Sequence, residues 1–443
     1  MATATPSLAG VQTGLSELGR RLLFVLFALL VYRIGTHIPI PGINPEALQR
    51  LFDQNQGGIL DLFNMFSGGA LERMSILALG VMPYITSSII MNLLTMMYPA
   101  LSQLRKEGEA GRRKITKYTR WGTLLIALVQ GSAMTFGLIG QGLPFDPGLG
   151  FFFVSVVSLV TGALFMMWLG EQISEHGVGN GISLLIFAGI VSGFPAAIGS
   201  AVEAARQGNL HWTILLIIGV FAIGVVGFVV FVERGERRVT VHYAKRQQGR
   251  RMMQGQTSHL PFKVNMAGVI PAIFASSLLL APASMAQWFG QNPNMGWLQE
   301  IALALSPGQP LYIILFATGI VFFSFFYTAI VRDPKELADN LKRQGAYIQG
   351  IRPGQQTADY IDDVTTKLTI FGSAYVTAVC LLPEFMIVMF DDLTFQLGGT
   401  ALLIVVVVAM DFMSQIQAHL LSSNYAKLME KSNIRNYSRR MGR

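Results

Sequence analysis

Ten apolar stretches alternate with polar segments along this chain, and each is long enough to cross a bilayer as a helix, which takes roughly 20 residues. They cover 22–40, 76–97, 121–139, 151–169, 182–202, 212–232, 269–289, 311–331, 368–390 and 400–421. Lipid offers no water to an unpaired backbone group, so each stretch is expected as a helix with its N–H and C=O groups satisfied internally. Composition agrees: 52% of residues are hydrophobic and 13% charged, against about a quarter charged in soluble domains. The basic residues then orient the molecule. When the ten stretches are threaded as spans, 29 of the 33 Lys and Arg residues fall on segments sharing one side, all but Arg33, Arg50, Arg73 and Arg206. The positive-inside bias makes that side the cytoplasm and places both termini there.

The formal net charge of +8 has a topological origin in such a chain, although basic cytoplasmic loops can still meet RNA or acidic proteins. A single cysteine, Cys380, lies in an apolar span, so no disulfide scaffold forms within the chain. Arg20 and Arg21 precede an apolar run as in a signal peptide, but Arg33 and His37 interrupt it and no small-residue cleavage site comes after. An uncleaved first span is expected. The sequon at Asn436 falls in the expected cytoplasmic tail and carries no weight.

Three cytoplasmic segments, 100–120, 233–268 and 332–367, are too long and too charged to be simple turns. The second carries Arg234, Arg237, Arg238, Lys245, Arg246, Arg250 and Arg251 around the β-favouring run Val239, Thr240, Val241 and Tyr243, which predicts a short hairpin projecting from the membrane. One such loop reads as a solvated turn or an anchor for anionic lipid, worth about 1 kcal/mol per basic residue. Three on one face read as a docking platform for a large cytoplasmic partner. On the opposite side, 57–75 differs in kind. Its apolar core, 59–66, is too short to span, and Ser67-Gly68-Gly69 breaks it. Ile59, Leu62, Phe63 and Phe66 recur at helical spacing and make one apolar face, hence a short half-helix. Periodicity leaves open whether it lies in the headgroups or folds back into a protein cavity. Five spans followed by five allow the second half to be inverted relative to the first, a symmetry common in transport folds.

Catalytic and carrier chemistry finds little support. There is no Gly-rich loop ending in Lys-Ser or Lys-Thr, so nucleotide hydrolysis must come from elsewhere. Gly177-Val178-Gly179-Asn180-Gly181 has no preceding strand and reads as a tight turn, and the six His residues lack metal-ligand spacing. Ionisable groups within the spans are few: Arg33 near the outer end of the first, Glu384 in the ninth and Asp411 in the tenth. A coupled small-solute carrier would place more of them near mid-membrane. Asp411 is either a functional acid or a structural one beside Ser414 and Gln415. An intramembrane enzyme would need a nucleophile, metal or acid/base set that the chain does not bring together.

The run Ala78-Leu79-Gly80-Val81-Met82-Pro83-Tyr84-Ile85 resembles the SecY family of protein-conducting channels. So do Asn180-Gly181-Ile182-Ser183, Ser258-His259-Leu260-Pro261, the run from Val264 to Pro271, Gly350-Ile351-Arg352-Pro353-Gly354, and the run from Gly398 to Asp411. These motifs stand in the family's order along essentially the whole chain. The resemblance implies an all-α integral membrane protein whose ten transmembrane helices form two inverted five-helix halves, 22–203 and 204–421, closing as a clamshell around an hourglass pore. Segments 1–21 and 422–443 would be cytoplasmic, and the organism a bacterium with the chain in its plasma membrane.

Matched residue by residue, the pore would be narrowed by Val81, Ile85, Ile186, Ile190, Ile273 and Ile404, each otherwise an ordinary packing residue. The pairs 81/85 and 186/190 are four apart and so share a helix face. The family ring is mostly Ile, so Val81 implies a slightly looser seal. The half-helix of 57–75 would be the plug. Spans two and seven would line a lateral gate through which signal sequences and membrane helices reach lipid, with Ser87, Asn92 and Gln130 tuning its closure. Arg250, Arg251 and Arg352 would meet a translating ribosome or a SecA-type motor, although Arg352 could instead organise its own loop. SecE-like and SecG-like small membrane subunits are the expected partners; no cofactor, metal or enzymatic activity is expected.

Overall fold

The computed structural model describes residues 9–54, 59–208, 211–243, 247–248, 251–252, 257–289, 296–306, 308–389 and 399–441. Its first helices are α1 (Ala9–Gly35), α2 (Pro45–Gln54), α3 (Ile59–Ser67), α4 (Met82–Met97) and α5 (Pro99–Lys106). Then come α6 (Glu109–Gly140), α7 (Leu149–His176), α8 (Gly181–Arg206) and α9 (Trp212–Glu233). Strands β1 (Glu236–Tyr243), β2 (Gln247–Gln248), β3 (Arg251–Met252) and β4 (Thr257–Lys263) are next. The chain continues with α10 (Ile270–Phe289), α11 (Gly296–Ala304), α12 (Pro310–Val331), α13 (Pro334–Arg343), β5 (Ala346–Ile348), α14 (Gln355–Met389) and α15 (Gly399–Met441).

Seven of these helical stretches are long and apolar enough to cross a membrane, drawn from α6, α7, α8, α9, α12, α14 and α15; α4 with α5, bent by 105°, makes an eighth if counted as one broken span. The other two expected spans fall on α1, whose apolar run is flanked by Arg20, Arg21 and Arg33, and on α10, whose apolar stretch Ile270–Leu280 is short. The chain divides into two compact units, one of Met1–Gln56, Asp61–Phe194 and Val408–Arg443, the other of Gly57–Leu60 and Pro195–Val407. The division falls inside α8 at Pro195 and inside α15 at Val408.

In the first unit α6 packs against α4 and α7, and α1 against α7. Leu71, Leu77, Leu138, Leu159 and Met166 are among its fully buried side chains. Gly162 of α7 lies so close to the Ile76 carbonyl that any side chain there would collide with main chain. Arg120 and Glu171 tie α6 to α7 through paired hydrogen bonds of 3.0 and 2.7 Å. The structure departs from the hydropathy pattern in two places. The second span begins as a helix only at Met82, because 76–81 forms turns with Gly80 at φ +56° and Pro83 occupies the first helical turn. The charged segment 100–120 is largely helical, supplied by α5 and by an extension of α6 beyond its apolar run.

In the second unit α12 packs against α10 and α14. Phe274 meets Phe323 edge to face with ring centroids 5.7 Å apart. The expected hairpin is present: β1 pairs antiparallel with β4 from Glu236↔Lys263 to His242↔Thr257. A third strand has no counterpart in the residue pattern. β5, just over a hundred residues beyond β1 and from a different loop, pairs with its other edge, so that two cytoplasmic loops share one sheet of order β4-β1-β5. Val239, Val241, Phe262, Ala346, Ile348 and Ile361 make its buried core, covered by Leu337 and Leu341 of α13 and Tyr360 of α14. The Arg332 guanidinium sits 5.1 Å above the Phe262 ring, a cation–π contact that caps the core. Asn265, buried just after β4, donates to Glu233 Oε1 at 2.6 Å and to the Gly268 carbonyl at 3.2 Å. It joins the end of α9 to the start of α10, a structural reason for one residue of the Val264-Asn265-Met266 motif.

Phe262 is 0% exposed, and Phe-to-Ala changes in such cores cost about 3–5 kcal/mol. Phe262→Ala is therefore expected to speed amide hydrogen exchange across β1, β4 and β5 together while α12 and α14 keep their protection. Faster exchange in β4 alone would mean that the two loops do not form one cooperative sheet.

Candidate functional site

The six aliphatic positions singled out in the sequence are all buried: Val81 and Ile85 to 4%, Ile186 to 3%, Ile190 to 1%, Ile273 to 5% and Ile404 to 0% exposure. Val81 is the N-cap of α4 rather than part of its helix, but its backbone is already helical and its carbonyl accepts from the Ile85 amide at 3.1 Å. The 81/85 pair therefore keeps the shared face that four-residue spacing demands. Ile186 and Ile190 lie one turn apart on α8, preceding Pro195. Ile273 belongs to α10 and Ile404 to α15, both in the second unit.

The expected half-helix is α3, nine residues from Ile59 to Ser67. Phe63 and Phe66 are buried, at 6% and 5% exposure; the side chains of Ile59 and Leu62 lie outside the described residues. Beyond α3 the backbone is irregular, yet its polar groups are extensively bonded. Gly69 N donates to Asn64 O at 3.0 Å, Met74 N to Leu71 O at 2.9 Å and Ser75 N to Ala70 O at 2.8 Å. The Ser67 hydroxyl accepts from Leu71 N at 3.2 Å, and Asn64 Oδ1 accepts from Glu72 N at 3.0 Å. The far end is stitched to the chain after α1: Ile40 N donates to Met74 O at 2.9 Å and Ile76 N to Ile38 O at 3.0 Å. From α1 itself, Tyr32 and Arg33 reach the Ser67 and Gly68 carbonyls. Arg33 also donates to Ser192 Oγ of α8 at 3.1 Å. Sequence pattern misses Tyr32 and Ser192 here, because a lone Tyr or Ser inside an apolar run has no periodic signal.

The polar positions expected at a lateral gate differ in how they are engaged. Ser87 of α4 is 2% exposed. Its hydroxyl donates to the Thr119 carbonyl of α6 at 2.7 Å, and Gly122 closes over it. That bond commits Ser87 to packing between two helices of one unit. Asn92 is half-buried on α4, and its carbonyl accepts from the Thr95 hydroxyl at 2.7 Å. Gln130 of α6 is buried, with no hydrogen-bond partner at Oε1. On the cytoplasmic side, Arg352 is exposed in a loop framed by Gly350 and Gly354, at φ +84° and +114°. Its carbonyl accepts from the Thr357 hydroxyl at 2.9 Å. Its main chain organises the loop and its side chain is left exposed. Arg251 lies in β3, paired through Gln248↔Arg251; its side chain, and Arg250 altogether, fall outside the described residues. Asp411 is exposed on α15. Among the described residues no three His, Cys, Asp or Glu side chains gather as a metal centre.

Val81, Ile85, Ile186 and Ile190 are thus buried aliphatic side chains of the first unit, and Ile273 and Ile404 of the second. Comparison with known proteins identifies the family. A family model described as SecY matches residues 75–413. The chain is 63% identical over 424 residues to the protein translocase subunit SecY of Pseudomonas aeruginosa, covering 96% of each chain. Among solved structures it resembles a SecY protein whose plug domain stabilises the closed state of the translocation channel, with a TM-score of 0.67, 20% identity, and 92% of this chain and 93% of that one covered. It also resembles Sec61 in the canine ribosome–channel complex, with a TM-score of 0.63, 19% identity and the same coverage of 92% and 93%. By sequence along nearly its full length and by fold, the chain belongs to the SecY family of protein translocase subunits, multi-pass membrane proteins of the ten-helix channel type.

Proposed function

We propose that the chain is the central channel of a bacterial general secretory translocon, and that it passes unfolded polypeptides through a ring of Val81, Ile85, Ile186, Ile190, Ile273 and Ile404. The observation that carries the ring is that all six positions are aliphatic and at most 5% exposed. A narrow aliphatic aperture resists wetting and so blocks ions. Without hydrogen-bonding groups it has no preference among clients, and soft side chains can part around any of them. The segment 57–75, centred on α3, is the plug that seats against the ring. Hydrophobic segments leave sideways between spans two and seven, with Asn92 and Gln130 rather than Ser87 tuning closure, since the Ser87 hydroxyl is already engaged.

The sequence has no Gly-rich loop ending in Lys-Ser or Lys-Thr, and in this reading the energy comes from a ribosome or a SecA-type motor docked on the basic cytoplasmic face through Arg250, Arg251 and Arg352. Support for that face comes from the exposure of Arg352 and from the likeness to Sec61 of a ribosome–channel complex. Basic side chains suit ribosomal RNA phosphates. SecE-like and SecG-like subunits complete the complex in the bacterial plasma membrane, with both termini cytoplasmic, as the charge distribution supports. The halves 22–203 and 204–421 act as the two inverted leaves of the channel.

A photoreactive residue at Ile85 or Ile404 is expected to crosslink a stalled secretory precursor only while the precursor is engaged; its failure to do so with an engaged precursor removes these residues from the path. Ile404→Asn puts an amide into the seal and is expected to raise resting ion leak and admit clients with defective signal sequences. Unchanged leak together with unchanged client selectivity would count against the ring. Arg352→Glu is expected to slow motor-driven export severalfold while the channel still inserts normally, and undiminished export would remove Arg352 from the docking face.

A further inference from the structure

Arg33 is a cation that hydropathy leaves unexplained in the first span, and its surroundings give it a task. Two consecutive side chains of α1 meet the end of α3. The Tyr32 hydroxyl donates to the Ser67 carbonyl at 3.0 Å, and Arg33 Nη1 donates to the Gly68 carbonyl at 2.8 Å. The same nitrogen donates to Ser192 Oγ of α8 at 3.1 Å, and the Ser192 hydroxyl donates to the Gly189 carbonyl at 2.7 Å. Gly68 is wedged between these groups: at φ +72° a side chain would be strained, and its Cβ would strike the Tyr32 hydroxyl and lie 2.9 Å from Gly189 Cα.

We propose that Tyr32, Arg33 and Ser192 are positioning residues that latch the plug in its seated place, gripping it by main-chain carbonyls at the C-terminal end of α3. The proposal rests on the reading of 57–75 as the plug. The end of a helix leaves carbonyls unpaired and carries partial negative charge, so a guanidinium is the side chain that holds it best. The grip is separable from the rest of the segment. The Asn64 side chain bonds Glu72 through both its oxygen and its nitrogen, at 3.0 and 3.2 Å, and the Ser67 hydroxyl bonds Leu71 N. Those bonds survive if the Tyr32 and Arg33 contacts part. Main-chain pairing of Ile38 and Ile40 with Ile76 and Met74 anchors the far end, and Met74, at φ +45°, is the one non-glycine residue with positive φ among those described. The segment is therefore fixed by backbone at 74–76 and held by side chains at 67–68. Side-chain holds are the ones that can let go. Arg33 is only half-buried, so water can take over its donors when they do.

The test is the resting potassium chloride conductance of the full complex in planar bilayers, measured for Tyr32→Phe and Arg33→Gln, each with and without residues 60–70. A lost neutral hydrogen bond should raise the open fraction about 5-fold in Tyr32→Phe, and a lost charge-assisted bond about 10-fold or more in Arg33→Gln. In the channel lacking 60–70 the same substitutions should change nothing further. If deletion of 60–70 raises conductance but both substituted channels stay sealed, the latch is overturned and the plug reading stands. If the deletion itself leaves conductance unchanged, the plug reading falls and the latch with it. An equal rise with and without 60–70 would show that the residues merely hold the helix bundle together, which also overturns the latch. Tyr32→Phe removes a single oxygen and carries the test should Arg33→Gln fail to accumulate in the membrane.

Discussion

Every polar group of the backbone must find a partner when the surroundings are apolar, and this requirement governs the chain from end to end. Helices meet it internally. The stretch from Gly68 to Val81 is not helical, although it includes fully buried residues such as Leu71, Met74 and Leu77. It meets the requirement with turns, with side-chain acceptors on Asn64, Ser67 and Ser75, and with two bonds to the chain after α1. Tyr32 and Arg33 supply the donors for the carbonyls left at the end of α3. Substituting Tyr32, Ser67 or Ser75, whose bonds here are buried, leaves a partner unpaired away from water, at a typical cost of about 1–3 kcal/mol. Irregular backbone is tolerated here because it is so extensively bonded, and it is this backbone that allows a short helix and a span to be separate bodies.

The same logic explains which features are legible in the sequence. Long apolar runs are conspicuous because lipid forces them, so the long helices from α6 to α15 appear where hydropathy places them. Residues 76–81 are as apolar as the span they precede, and hydropathy extends that span over them. Only Gly80 and Pro83 hint that the helix waits until Met82, and neither alters the hydropathy of the run. The hairpin of β1 and β4 is readable from a local run of β-favouring residues, whereas β5 is not. Its pairing spans just over a hundred residues, and Ala346-Tyr347-Ile348 is too short to announce a strand. The site divides similarly. Four-residue spacing shows that Val81 with Ile85, and Ile186 with Ile190, share a face, but resemblance is needed to say what that face is for. Ser87 stands out for being polar in a span; its bond to the Thr119 carbonyl accounts for that polarity by helix packing.

The proposed channel asks two opposite things of one small region, a seal that yields to any polypeptide and a plug that stays put until one arrives. Dispersion contacts between aliphatic side chains are individually weak and insensitive to angle, which suits the first demand. They can deform around a client and recover without a preferred geometry. The second demand needs a contact that is lost over a short distance. Hydrogen bonds weaken steeply with angle and length, so the Tyr32 and Arg33 bonds act as a catch that is either made or broken. Placing the catch on main-chain carbonyls frees the plug's side chains to fit the ring, since none is needed for holding. In the proposed channel the apolar seal and the polar catch are carried by different residues, so each can be tuned without spoiling the other.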